Sequence, residues 1–119
     1  MALQTLSQRR ANDAWKVVEE QRSRPPLEFE KFANQAKKLP MRILTSGLGQ
    51  SLAFLRAKEK TPELLDALTS WMQDYQKGTP EDLLERVTQG DSDFQRLATA
   101  ECLAYLAWLV RFADAHRKE

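Results

Sequence analysis

The chain has 119 residues, is 42% hydrophobic, and balances 18 Lys/Arg against 17 Asp/Glu for a net charge of +1. That length and apolar content suit a single domain spanning residues 1–119, able to bury its own core without staples. The lone cysteine, Cys102, excludes an internal disulfide. The N-terminus lacks the apolar core of a signal peptide, and the longest apolar run, Cys102 to Val110, is too short to span a bilayer. A soluble, cytoplasmic protein with no membrane contact is therefore expected.

No stretch alternates as a strand does, and each long segment repeats its apolar residues at helical spacing between stop signals. The pattern predicts an all-α, single-domain bundle of about five to six helices. In the first helix, over roughly residues 6–23, Ala11, Ala14, Trp15 and Val18 form a stripe with Arg9, Arg10 and Lys16 off it, and Pro25-Pro26 ends it. Phe29, Phe32, Ala33, Ala36 and Leu39 form the next stripe. Pro40 lacks an amide N–H, so a break near Leu39 is expected, followed by a new helix over 41–59. Thr61-Pro62-Glu63 reads as a helix start, leading to the stripe Leu64, Leu68, Trp71, Met72 and Tyr75, with Gly78 as the stop. Thr79-Pro80-Glu81-Asp82 repeats that start for a short helix carrying Leu83, Leu84 and Val87, stopped by Gly90. Ser92-Asp93-Phe94-Gln95 reads as a capping box opening a last helix to about residue 116. Between Leu97 and Ala113 this helix is apolar except for Thr99, Glu101 and Arg111, so it belongs at the centre of the bundle or keeps a face for a partner.

Catalysis fails on inventory. His116 is the only histidine, lies near the C-terminus and reads as a surface residue, and one His with one Cys cannot build a zinc site of the usual kinds. The carboxylates fall in first turns and capping loops, where they offset helix dipoles. Gly47-Leu48-Gly49-Gln50 lacks the third glycine and the preceding strand of a dinucleotide fingerprint, and no phosphate-binding Gly-Lys-Ser/Thr occurs. No cofactor and no metal are expected.

The charges are unevenly placed, +6 over residues 1–60 and −5 over 61–119, which suits a basic side for a polyanion or a head-to-tail stack of copies. One continuous helical wheel over residues 38–60 gathers Lys38, Arg42, Thr45, Gly49, Ala53, Arg56 and Lys60 in one sector, with Ile43, Leu44, Leu48, Leu52, Phe54 and Leu55 left to pack. Cations at both ends of a small, flat middle fit a phosphate backbone laid along the helix. On the last helix Arg96, Ala100, Ala104, Ala107 and Arg111 share a sector, and the alanines read as a close helix–helix contact. Arg111, between Val110 and Phe112, is expected to need an acidic partner or an anion.

Three landmarks, Gln8-Arg9-Arg10-Ala11 with Ala14-Trp15, Lys37-Lys38-Leu39-Pro40 with Gly47-Leu48-Gly49-Gln50-Ser51-Leu52-Ala53-Phe54-Leu55, and Arg96-Leu97-Ala98-Thr99 with Trp108-Leu109 and Arg111-Phe112-Ala113, resemble the small helical subunit of the type III-B CRISPR RAMP-module (Cmr) effector complex. The resemblance covers nearly the whole chain, and its middle landmark is the most specific. It implies a non-catalytic subunit, several copies of which stack beside the backbone and large subunits and line the path of crRNA and target RNA. On the matching positions it points to Lys37, Lys38 and Arg111 as nucleic-acid contacts, whereas Arg42, Arg56 and Lys60 come from the wheel. The alternative is a protein-interaction scaffold that does not touch nucleic acid. A DNA-binding regulator would need a base-reading helix, and none stands out.

Overall fold

The computed structural model describes residues 3–57, 61–76 and 82–117, the side chain of residue 117 excepted. Lys60, Gly78 and the Thr79-Pro80-Glu81 start signal lie outside the described residues. The chain forms α1 (Leu6–Arg22), α2 (Pro26–Ser46), α3 (Leu48–Arg56), α4 (Pro62–Tyr75), α5 (Leu83–Gln89) and α6 (Ser92–Arg117), so it is all-α with six helices among the described residues. None of these helices is long and apolar enough to cross a membrane.

Local chemistry explains most of the boundaries. Thr5 caps α1 in a reciprocal box: its hydroxyl accepts from the Gln8 amide at 3.0 Å, while the Gln8 side chain accepts from the Thr5 amide at 2.8 Å. Pro26 occupies the first position of α2, where its missing N–H costs nothing. The cap of α6 is Asp91, one residue ahead of the expected Ser92, because the Asp91 carboxylate reaches the Phe94 amide at 2.8 Å. Thr61 precedes α4 without a side-chain capping bond, and its buried hydroxyl has no partner among the described residues. Asp82 stands at the N-cap position of α5 and Gly90 at its C-cap position.

The expected break at Pro40 does not occur; α2 runs through it to Ser46. A proline removes one hydrogen bond of the ladder, but Ala36, Leu39 and Ile43 on either side are all buried, and that apolar burial outweighs the lost bond. The chain turns at Gly47 instead, where φ is +88°. Its amide still donates to Ile43 O at 2.9 Å, closing α2, and its carbonyl accepts from the Ser51 amide and hydroxyl, opening α3. An L side chain resists that φ by about 1–2 kcal/mol, which explains a glycine there. The single helix expected over 41–59 is therefore two helices.

α6 is the axis of the bundle and contacts each of the other five helices, α1 and α2 most extensively. Its inward face carries Ala98, Cys102, Tyr105, Leu106, Leu109 and Ala113, all essentially inaccessible to solvent. Phe32, Leu39, Leu52, Leu55, Leu64, Leu68 and Trp71 from α2, α3 and α4 complete one core.

Candidate functional site

Two surface features share α2 and differ in chemistry. The first is a notch of about 440 Å³ at the α2/α3 turn, lined by Arg42, Ser46, Gln50, Ser51, Ala53 and Phe54. The Gly47 turn folds α3 back so that the Arg42 guanidinium lies over the Phe54 ring, 4.1 Å from its centroid. On a continuous helix these two residues, twelve apart, would stand about 120° apart and not meet. Arg42 Nη1 also donates to Gln35 Oε1 at 2.8 Å, which leaves the remaining guanidinium protons for a ligand. Phe54 is thus a half-buried platform and not the core residue that the wheel implies.

The wheel also misplaces its middle. Lys38, Arg42 and Thr45 do share one side of α2, but Gly49 faces Val87 of α5, where an added Cβ would lie 3.7 Å from Val87 Cγ1. Arg56 is exposed on α3 and ion-paired with Asp82. An exposed pair of this kind contributes at most about 1 kcal/mol, so an anion can compete for Arg56. Leu44, assigned by the wheel to the packed side, is 69% exposed because Gly47 ends its helix before the packing continues.

The second feature is an apolar groove of about 700 Å³ between α2 and α6, lined by Pro40, Leu103, Ala107, Val110, Arg111 and Asp114 among others. From α2 Pro40 lines it, and Lys37, Met41 and Leu44, at i−3, i+1 and i+4 from Pro40, share that side of the helix. The expectation for α6 is corrected here: Ala100 and Ala107 are exposed and Ala104 is half-buried, so no described helix covers the whole alanine stripe. Arg111 is exposed as well, since the helix turns it out from between Val110 and Phe112. Among the described arginine side chains it alone makes no ion pair, side-chain hydrogen bond or ring contact.

A third cluster holds the frame. Glu101 is buried and receives Arg10 in a two-pronged pair, Nε at 2.6 Å and Nη2 at 2.8 Å, together with Trp71 Nε1 at 2.9 Å. The hydrogen bond to Glu101 raises the Arg10 pKa above its ordinary value, against the opposing effect of burial. Tyr105 stacks on Trp71, with centroids 5.4 Å apart, and donates to Asp13 Oδ1 at 2.6 Å. Burial, then the bond to Asp13, drives the Tyr105 hydroxyl pKa far upward. Cys102, beside this cluster, is pushed up to about 12 by burial and then by the Glu101 charge. Arg10 is thus a structural residue although its place off the α1 stripe suggests a solvated one. His116 is also less open than expected: its ring lies 5.2 Å from that of Trp15, and both ring nitrogens are buried without a partner among the described residues. Trp15 itself is 44% exposed and meets Phe112 edge-on at 5.2 Å.

Among the described residues no group of three or more His, Cys, Asp or Glu is placed to hold a metal ion. Lys37 and Lys38 are exposed and make no ion pair with described residues. Of the expected site residues, Arg42 lines the notch and Arg111 the groove; Lys38 shares the Arg42 side of α2, Lys37 lies one turn before Pro40, and Arg56 pairs with Asp82.

A model of the family of CRISPR-associated proteins called Cas_Cmr5 matches residues 6–116. The fold is similar to the crystal structure of a CRISPR-associated Cmr5 family protein from Thermus thermophilus, with a TM-score of 0.81 and 29% identity over 94% of this chain and 97% of that one. By its landmarks, its six-helix architecture and these two matches, the chain belongs to the Cmr5 family of CRISPR-associated proteins.

Proposed function

We propose that this chain is a non-catalytic small subunit of a type III-B CRISPR RNA-guided effector complex, present in several copies, that holds RNA by its phosphates at the α2/α3 notch in antiviral defence. The observation that carries the reading is Arg42, seated flat on Phe54 at the mouth of a polar notch. A guanidinium already held by a ring loses little side-chain freedom when it meets a phosphate, and its free protons can reach two oxygens at once. Ser46 and Gln50 add neutral hydrogen-bonding groups, and Lys38 and Arg56 extend the positive charge along the surface. Among the described residues the notch lining has no carboxylate, histidine or lysine to serve as a general base, which fits holding an RNA better than cutting it. In this reading the RNA is held through its phosphates, so binding depends on charge and shape and not on base sequence.

The basic first half and acidic second half support a head-to-tail stack of copies beside the backbone and large subunits, in the cytoplasm. The test is to assemble the complex on crRNA with a target carrying photoreactive 4-thiouridine. Crosslinks to peptides spanning residues 38–56 are expected. An intact assembly whose RNA crosslinks only to other subunits would overturn the RNA contact and favour the protein-only adaptor.

A further inference from the structure

The α2/α6 groove has a chemistry that an RNA backbone does not match. Its floor is apolar, built from Pro40, Leu103 and Val110, with Ala107 leaving space along α6. Met41 and Leu44 stand beside it 67% and 69% exposed, among the largest apolar exposures on the described surface. Asp114 lies in the lining with Arg111, so the groove itself holds no net positive charge to attract a phosphate chain, and its cations act one by one at the edge. Arg111 in the lining and Lys37, one turn before Pro40, have no ion-pair partner among the described residues, whereas the other exposed, described arginines are all paired.

We infer that this groove docks an amphipathic helix from a different protein of the assembly, one that presents an apolar ridge flanked by carboxylates. The apolar floor supplies the driving force, since burying Met41 and Leu44 removes apolar surface from water in a way a solvated phosphodiester chain cannot. The small residues Ala100 and Ala107 let a helix backbone approach α6 closely. Lys37 and Arg111 then find carboxylates on the incoming helix, and this charge complementarity sets its register. A second copy of the chain fits less well. Its acidic half offers Asp66, Asp74 and Glu85 at the surface, yet the only large apolar residue exposed among the described residues of that half is Leu97. In the basic half Leu27 stands exposed beside Glu28 and Glu30, but as a single apolar residue at the start of α2 it makes no ridge, so another protein supplies the ridge better.

The inference rests on membership of the assembly and is independent of RNA contact at the notch. The test places the photocrosslinker p-benzoylphenylalanine at position 44 of the full chain, in cells that express the complete set of subunits and crRNA, and identifies the joined peptide by mass spectrometry. Copurification of the unmodified chain reports whether it enters the assembly at all, which bears on the functional reading above. The crosslink reports the groove. A crosslink to an apolar, acid-flanked helical segment of another subunit is the expected result. Crosslinks to a second copy, to RNA, or to no protein segment of that chemistry would each overturn the proposal. As a second readout, Ala107→Arg and Leu44→Arg, both on exposed positions, should lower incorporation at least tenfold while the circular dichroism melt of the isolated chain stays within about 2 °C. Unchanged incorporation would also overturn it.

Discussion

The notch and the groove lie on two sides of the same helix, yet their arginines are handled in opposite ways. At the α2/α3 notch Arg42 is braced by Phe54 and Gln35, and Arg56 is held by Asp82. At the α2/α6 groove Lys37 and Arg111 make no pair, and the apolar residues between them are uncovered. A braced arginine in a polar recess suits a rigid anionic backbone, whereas an unpaired one in an apolar recess suits a surface that is finished by another protein. Charge alone would not separate the two, because all four residues are basic; what separates them is what each side chain touches.

Both regions depend on the frame behind them, so the largest effect is expected from breaking that frame. Glu101→Ala leaves the partly buried Arg10 guanidinium and the Trp71 N–H without an acceptor, and should cost about 3 kcal/mol, lowering the melting temperature by more than about 10 °C. Next comes pH. A thiol raised to about 12 in the folded chain keeps its proton where the unfolded chain has lost it. Between about pH 9 and 12 the folded state therefore binds more protons, and stability falls as pH rises, with a slope from this one group of about 1.4 kcal/mol per pH unit. Urea titrations across that window should show the slope, and Cys102→Ala should reduce it.

Smaller effects distinguish the regions themselves. Phe54→Ala should cost about 1–2 kcal/mol, below the loss expected for a core phenylalanine, because the ring is only half-buried. Leu44→Ser should leave the stability of the isolated chain within about 0.5 kcal/mol, since that side chain packs on little within the chain. A large loss for Leu44→Ser would mean that the groove is already covered from within, and the contrast would collapse.

Much of the fold is legible in the residues. The prolines, the glycine stops and the apolar stripes delimit most of the helices to within a few positions, and the near-continuous apolar character of α6 marks it as the axis. Pro40 misleads because a local rule meets a tertiary one: one missing hydrogen bond is weaker than the burial of Leu39 and Ile43. Gly47 is the true break, and its positive φ is not visible in spacing. That single turn also explains why the candidate site is only half legible. Lys38 and Arg42 share a side on any wheel, but the Arg42–Phe54 contact exists only because the wheel is cut between them. Arg10 and Glu101 are 91 positions apart, and no periodicity links them. The exposure of the alanine stripe is equally hidden, because small residues on a helix read as close packing whether the neighbour is in the chain or outside it.

The division of the cations between notch and groove can be read from salt dependence. In assemblies matched for their content of this chain, the salt dependence of target-RNA affinity is compared for Lys38→Glu/Arg42→Glu and for Lys37→Glu/Arg111→Glu. The first pair should flatten the slope by about one unit per lost phosphate contact, and the second should leave it unchanged. Equal flattening by both pairs, or flattening by the second alone, would show that the cations do not divide in this way.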